Sequence, residues 1–334
     1  MYKYLIKQCD VLDKVTLNEY REKRSIWLNH LLGDDPHTIL KQIPQLLWDD
    51  TLFRTVNEAR RLASENPKPD VAFNGAVMRL FDTGFVTKQT MAIRRLTERW
   101  PPRSGQRDPK HAVISLGRLL FEIHENLHLL TREVYVSHDG LPYDPAPLER
   151  AWLEKKAAEG PQPTDECLDN EGPNAWMISQ SVHENFDKLS GIMPDRRTRT
   201  DTMKPLVVER LRERLDECEA ICRYADKFIA HAADPGSRAV LRDQEMKITL
   251  AKLANCHKVI YRVAYYITGT LLGERSHGGV PVPQYRHLKN LDKRWVNPEN
   301  LECLEKFWKD RTREIEGWSD GSIVDDPAFD SRTK

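Results

Sequence analysis

A long helical pattern runs from Leu206 to Ala232, and it restricts the fold more than any other stretch. Apolar side chains recur along it every three or four residues, the period of a helix that buries one face. The recurring positions are Leu211, Leu215, Cys218, Cys222, Ala225 and Ile229. An Asp-Pro-Gly sequence follows at 234–236 and predicts where the helix ends. We therefore predict one continuous helix over 206–232, packed in a bundle.

Most other periodic segments also have helical period, and no run alternates convincingly like a strand. Asp70 and Thr87 are N-cap candidates for two of these segments. Predicted helices cover residues 16–32, 45–64 (after Pro44), 70–81, 87–99, 112–134, 146–158, 175–189, 244–271 and 298–316. The sequence therefore predicts an all-α fold, an up-and-down helical bundle with extra N- and C-terminal helices.

Changes in composition along the chain predict four parts. Residues 1–40 are expected to form an N-terminal helical appendage, and residues 41–275 the bundle. Residues 276–316 are expected to form a C-terminal loop and helix. Residues 317–334 are acidic and are expected to be a disordered tail.

The charge balance limits the classes of partner. The chain has 51 basic and 51 acidic side chains. This argues against a molecule that binds polyanions over its whole surface, but a local basic patch remains open. No apolar run approaches the ~18–20 residues of a membrane span, and the N-terminus lacks the pattern of a secretory signal. We expect a cytoplasmic protein without a membrane partner.

Six cysteines are scattered along the sequence without a metal-binding or redox spacing. They are Cys9, Cys167, Cys218, Cys222, Cys256 and Cys303. Cys218 and Cys222 share a predicted helix face with the spacing of core packing. All six are predicted to be free thiols in a reducing compartment.

A polar row accompanies the predicted 206–232 helix. Arg223, Lys227 and His231 follow at i, i+4 and i+8, roughly opposite the apolar stripe, and Asp226 lies between the two faces. One interpretation is a solvated charged face near a helix C-terminus. The other is a site on RNA, in which the cations hold a phosphate and His231 transfers a proton.

A literal His-Glu-x-x-His motif occurs at His124, Glu125 and His128. On a continuous helix the two histidines would share a face and could bind zinc, with Glu125 as the base. A third protein ligand is not evident, because His138, Glu149 and Glu154 are unsupported candidates. The alternative is that both histidines pack at the edge of the apolar stripe.

Several arginines stand at ambiguous positions. Arg132 follows the stripe of the 112–134 segment, and Arg94 and Arg95 lie in the 87–99 segment. A polar loop carries Arg196, Arg197 and Arg199. Arg132 and the loop arginines are candidate RNA contacts, and the alternative is a salt-bridged or solvated role. No phosphate loop, nucleophile elbow or cysteine-rich cluster occurs, so no cofactor is predicted.

Two blocks of the sequence resemble a known family. Residues 91–99 and 114–144 form the first, and CRYADKFIAHAADP at 222–235 forms the second. Together they resemble the abortive-infection branch of the HEPN superfamily over roughly 45–275. The resemblance implies a helical bundle that is often dimeric. The resemblance also implies an activity, because many members of this family are metal-independent ribonucleases of toxin–antitoxin and anti-phage systems.

The family motif is an Arg, four to six residues and a His, often with a polar residue after the Arg. By this resemblance His231 is the histidine and Asp226 the polar residue, while Ala225 stands where the Arg is expected. Arg223 and Lys227 are candidates to replace that Arg. The expected function is an endoribonuclease acting on RNA as a homodimer, with an antitoxin or defence-system partner protein. A non-cutting nucleotide, RNA or protein binding module and a zinc hydrolase through His124, Glu125 and His128 remain the alternatives.

Overall fold

The computed structural model describes residues 2–65, 73–101, 112–159, 175–274, 282–283, 286–291, 293 and 297–317. These residues form α-helices joined by short 3₁₀ and π-helical turns. Within them the only β-type pairing is an isolated bridge between Thr131 and Thr202. The protein is therefore an all-α helical bundle, which confirms the predicted fold class. It divides into two compact units, Met1–Pro281 and Val282–Lys334.

Three long helices open the first unit: α1 (Lys14–Leu32), α2 (Ile39–Glu65) and α3 (Gly75–Thr97). Asp13 and Asn74 are the N-caps of α1 and α3, and each side chain accepts two hydrogen bonds from backbone N–H groups of the first turn. Helix α2 packs against both α1 and α3.

Shorter helices complete the first unit. They are α4 (Leu116–Glu125), α5 (Arg132–Ser137), α6 (Ala146–Glu159), α7 (Ala175–Ser190), α8 (Pro205–Asp216), α9 (Glu219–Tyr224), α10 (Pro235–Arg238), α11 (Asp243–Met246) and α12 (Leu250–Tyr265). Helices α9 and α12 continue as π-helical turns over Ala225–Ala230 and Tyr266–Leu271. In the loops, 3₁₀ turns form at Ile6–Gln8, Leu127–Leu129 and Pro194–Arg196.

Helix α12 lies at the centre of the core. Its predicted apolar stripe is buried, with Leu253, Ile260, Val263 and Ile267 almost inaccessible to solvent. It packs against α2, α3, α4 and α8. An amphipathic helix of this kind owes most of its stability to such packing, which explains why its strong period was readable from the sequence.

The N-terminal helix α1 belongs to the same core. Leu17, Tyr20, Trp27 and Leu31 are fully buried there, and α1 packs against α2 and α5. The first unit accordingly begins at Met1. The prediction of a separate appendage over 1–40 is wrong, because the apolar stripe of α1 is a wall of the bundle.

The second unit contains a 3₁₀ turn at Pro298–Asn300 and helix α13 (Leu301–Gly317). The helix predicted over 298–316 is therefore confirmed, with its α-helical part starting at Leu301. The predicted disordered tail lies outside the described residues beyond Gly317.

Several predicted helix boundaries differ from the structure. The segment predicted as one helix over 244–271 forms α11 and α12, with the non-helical residues 247–249 between them. The segments 70–81 and 87–99 form the single helix α3, whose buried face runs on through Phe85, Gln89 and Ile93. Its cap is Asn74, and Asp70 lies outside the described residues. Helix α2 begins before the predicted start and contains Pro44.

The helix predicted over 112–134 is interrupted. Helix α4 ends at Glu125, since Asn126 leaves the helical conformation at φ −119° and ψ 24°. The backbone N–H groups of Arg132 and Glu133 bond to the carbonyls of Asp201 and Arg199, at 2.8 and 3.1 Å. These tertiary bonds replace the helical bonds that a continuous helix would make.

The five described cysteines are free thiols, as predicted. Cys167 lies outside the described residues. Across the helices that the structure describes, none is long and apolar enough to cross a membrane.

Candidate functional site

The prediction of one continuous helix over 206–232 is wrong, because a turn at Glu217 and Cys218 separates α8 from α9 and a second break falls where the polar row was expected. Helix α9 ends at Tyr224, and Ala225–Ala230 form a π-helical turn. His231 then adopts an extended backbone, with φ −135° and ψ 139°. The α-helical rotation of ~100° per residue does not hold across this junction. The prediction of one straight row through Arg223, Lys227 and His231 is therefore wrong.

Arg223 and Lys227 are engaged by the segment that follows. The Arg223 guanidinium pairs with the buried carboxylate of Glu245 on α11. Lys227 Nζ donates a hydrogen bond of 2.6 Å to Ser237 Oγ on α10. Both predicted phosphate clamps therefore tie the end of α9 to α10 and α11.

Asp226 meets a different arginine. Its carboxylate accepts a hydrogen bond from Arg94 Nε, on α3. Arg94 also lies 3.7 Å from Glu98. Partial burial acts to lower the pKa of Arg94, but the hydrogen bond and charge of Asp226 outweigh it and raise that pKa. A charged guanidinium thus lies against the residue that follows Ala225.

The pairing of Arg94 with Asp226 follows from the packing of α3. This helix contacts both α9 and the π-helical turn, and Ala225 is fully buried in that turn. A small residue at 225 permits the close approach. The sequence had marked Arg94 as an ambiguous cation, but nothing in it linked Arg94 to Asp226.

His231 is exposed at the end of this turn. Among the described residues no side chain donates to or accepts from its imidazole. The ring is therefore accessible to a ligand, since no protein group occupies its nitrogens.

Arg94 and Asp226 line a cleft of about 510 Å³ between α3, α4, α8 and α9. Further along it, Arg99 pairs with Asp216. Arg212 donates to the Leu120 carbonyl at 3.3 Å, and burial lowers the pKa of its guanidinium. The remaining lining is Thr97, Glu98, Trp100, Pro101, Gly117, Phe121, Leu215, Glu219 and Cys222.

Cys222 does not have the character of a nucleophile in this cleft. Its Sγ lies 3.2 Å from Thr97 Oγ1. Burial raises the pKa of the thiol to about 11. Because the thiolate is the reactive form, Cys222 stays unreactive near neutral pH.

The end of α4 separates the two histidines of the candidate zinc motif. His124 lies in the last turn of α4, whereas His128 belongs to the 3₁₀ turn after Asn126. The described parts of the chain contain no group of three or more His, Cys, Asp or Glu side chains arranged to hold a metal. The prediction that His124 and His128 share one helix face is wrong, because the helix ends between them.

Arg132 is a core residue and not a surface cation. Its side chain has 0% exposure. It donates to Asp201 at 2.7 Å and to Asp187 at 2.8 Å, and its guanidinium lies 5.0 Å from the Phe186 ring centroid. The structure thus contradicts the prediction that Arg132 contacts RNA, because no part of the side chain reaches the surface.

The three loop arginines differ among themselves. Arg197 pairs with Asp187 at 2.6 Å. Arg199 pairs with Asp10 at 3.0 Å and lies 4.1 Å from the Tyr143 ring centroid. Arg196 is 82% exposed, with Asp195 only at 3.9 Å. Of the three, Arg196 alone keeps a largely free guanidinium.

We compared the chain with protein-family models, with curated proteins and with solved structures, and none of the three comparisons found a match.

Proposed function

We propose that this chain is a HEPN-type RNA-processing protein whose site is formed by Arg94, Asp226 and His231. One observation carries the proposal: the Arg94 guanidinium lies against Asp226. Arg94, from α3, supplies the positive charge that the family motif would place at position 225, where this chain has Ala225. The exposed imidazole of His231 follows in the same segment. The resemblance of 222–235 to the family motif supports the same assignment.

The chemistry of this site is phosphodiester transesterification. His231 accepts the proton of a ribose 2′-hydroxyl, whose oxygen attacks the adjacent phosphorus. The bond to the 5′-oxygen breaks, and that oxygen takes a proton from a second imidazole. Arg94 offsets the negative charge that builds on the phosphoryl oxygens, and Asp226 orients its guanidinium. The products are a 2′,3′-cyclic phosphate and a 5′-hydroxyl end.

A second copy of the chain completes the site. One His231 serves as the base, and the reaction needs a further acid for the leaving oxygen. In the segment around the site, Arg223 and Lys227 are held by Glu245 and Ser237. We therefore propose a homodimer that brings two such sites together over RNA. By the resemblance, the setting is cytoplasmic phage defence or a toxin–antitoxin pair.

The second candidate function is RNA binding without cleavage. The engagement of Arg223 by Glu245 and of Lys227 by Ser237 favours it, because neither cation is then free to assist cleavage beside His231. A protein of this kind binds RNA through the same surface and leaves it intact.

Cleavage of total RNA by the purified full chain tests the proposal. The samples are wild type with and without EDTA, His231→Ala, and His37→Ala as a control. His37 is an exposed histidine on another part of the unit. We expect cleavage that persists in EDTA and in His37→Ala but is lost in His231→Ala.

The outcomes separate the two candidates. Intact RNA in every sample, with RNA bound by the protein, favours the binding module. Cleavage by His231→Ala at the wild-type rate removes His231 from the mechanism. A monomer by light scattering at micromolar concentration contradicts the two-copy site.

A further inference from the structure

A second groove, of about 760 Å³, lies on the other side of α8 from the cleft. The end of α7, the length of α8 and the π-helical turn after α12 form its walls. Its surface is more apolar than polar, although six of the lining side chains are charged. Its lining comprises Lys188, Leu189, Gly191, Lys204, Leu206, Val207, Arg210, Leu211, Glu213, Arg214, Glu217 and Tyr266.

Positive charge dominates this groove. It has four cations (Lys188, Lys204, Arg210 and Arg214) and two carboxylates (Glu213 and Glu217). Arg214 pairs with Glu217 at 2.8 Å. In the part of the chain that the structure describes, Lys188, Lys204 and Arg210 have no ion pair. The cleft, by contrast, is lined by three arginines and four carboxylates. Cations therefore outnumber carboxylates in the groove but not in the cleft.

Lys204 is positioned by the local backbone. Gly191 ends α7 with φ +66°, and a Cβ there would stand 2.4 Å from Lys204 Nζ. The Lys204 backbone N–H also bonds to the Leu189 carbonyl at 3.0 Å. The missing side chain at 191 therefore leaves room for the ammonium group at the mouth of the groove.

Helix α8 supplies the other wall. Arg210 and Arg214 are separated by four residues and are neighbours on its surface, ~5–6 Å apart at Cβ. The opposite side of α8 carries Arg212 and Asp216, which line the cleft. One helix thus borders both the groove and the cleft that contains Arg94 and Asp226.

Tyr266 gives the groove an aromatic surface. Its ring is half-buried, and burial raises the pKa of its phenol. The side chain is therefore neutral at physiological pH. A neutral aromatic ring beside unpaired cations is the combination that binds single-stranded nucleic acid, with bases stacked on the ring and phosphates on the cations.

We propose that this groove binds a strand of single-stranded RNA through Lys188, Lys204 and Arg210, with Tyr266 as the stacking surface. The inference rests on the proposed function, since it names the substrate class and the surface that holds it. It moves the RNA contact away from Arg132, Arg197 and Arg199, whose guanidinium groups are buried or paired.

Fluorescence anisotropy with a labelled single-stranded oligoribonucleotide tests the groove. The full chain carries His231→Ala, so that binding is measured without cleavage. We compare it with the same chain carrying Lys204→Glu or Arg210→Glu. Arg150→Glu is the matched control, because it makes the same charge change at an exposed arginine of α6 that lines neither the groove nor the cleft.

We expect each groove variant to weaken binding at least tenfold and the control to change it less than twofold. Three phosphate contacts predict a slope of about −2 for log K against log salt concentration, at ~0.7 per contact. An Arg210→Ala variant should reduce the steepness of that slope by about 0.7. Unchanged circular dichroism shows that the variants are folded.

Three results overturn the proposal. The first is an equal loss in Arg150→Glu and Arg210→Glu, which indicates non-specific attraction. The second is equally tight binding of poly-glutamate, which indicates an acidic peptide site. The third is full RNA affinity in both groove variants. If RNA binds in the groove but the wild-type protein never cleaves it, the catalytic proposal fails, whereas the proposal that the groove binds RNA is supported.

Discussion

Replacement of Arg132 by alanine tests how the bundle is held together. Arg132 is fully buried, and its guanidinium joins α5 to the Asp187 and Asp201 carboxylates. It also donates to the His183 carbonyl at 3.2 Å and to Ser190 Oγ at 3.3 Å. The variant removes this donor, so that Asp187 keeps its pair with Arg197 and Asp201 keeps its hydrogen bonds from Thr198.

The size of the effect follows from burial. The side chains of Asp187 and Asp201 are 16% and 8% exposed. Removing one partner of a buried ion pair costs about 3–5 kcal/mol when the other charge is left uncompensated. Because Asp187 keeps Arg197 and Asp201 keeps Thr198, we expect a loss near the lower end of that range. Since a domain is stable by only ~5–15 kcal/mol, Arg132→Ala should lose a fifth or more of the free energy of unfolding. Arg132→Lys keeps the charge and should lose less.

The loss in free energy of unfolding caused by Arg132→Ala should depend on pH. Burial acts to raise the pKa of Asp187 and Asp201, but their hydrogen bonds outweigh it and lower both below the ordinary value of 3.8. A carboxyl with a lowered folded-state pKa contributes stability above its unfolded pKa and loses it as pH falls through the folded value. The difference between wild type and Arg132→Ala should therefore be full at pH 7 and shrink below about pH 3.8.

Urea unfolding followed by circular dichroism measures this free energy. Arg196→Ala is the control, because an exposed cation of the same type should change stability by less than ~0.5 kcal/mol. A loss below 1 kcal/mol in Arg132→Ala at pH 7 would refute the reasoning. It would mean that Arg132 is not buried between these carboxylates.

Three further predictions concern buried side chains. Burial lowers the pKa of His138 to about 3. The neutral buried imidazole therefore contributes its full stability above the unfolded pKa of ~6.5, and this contribution falls by about 1.4 kcal/mol per pH unit below that value. His138→Gln should accordingly flatten the curve of urea midpoint against pH between pH 6.5 and 4. Trp27→Ala should lower the stability of the whole unit by ~3–5 kcal/mol in one transition, whereas an independent N-terminal appendage would leave the main transition unchanged in calorimetry. A thiol reagent should modify exposed Cys303 quickly and buried Cys9, Cys218 and Cys256 only after unfolding; peptide mapping by mass spectrometry distinguishes these sites.

The fold class was readable because periodic apolar stripes and burial agree over most of the chain. Helix α7 covers the predicted segment 175–189 almost residue for residue, and α12 with its π-helical turn covers the predicted segment 244–271 from Leu250 onward. The breaks at Asn126 and at Ala225–Ala230 were not readable, because neither contains proline or glycine. The first is fixed by backbone bonds to the 199–201 segment. The second is a π-helical turn packed on α3.

The candidate site shows the same limit. Local patterns identified Asp226 and His231, which are close in sequence. They could not identify Arg94 as the partner of Asp226, since 132 residues separate the two. Nor could they show that Arg132 is buried, because an arginine at the end of an apolar stripe reads equally well as a surface or a core residue.

The rate of RNA cleavage by Arg94→Ala, in EDTA, tests the central claim most directly. Arg95→Ala is the matched control, because Arg95 is the exposed neighbour on the same helix. The account predicts that Arg95→Ala cleaves like wild type and that Arg94→Ala loses at least 100-fold in rate, as when a transition-state donor is removed. Equal rates in Arg94→Ala and wild type would contradict the claim that Arg94 supplies the cation that Ala225 lacks.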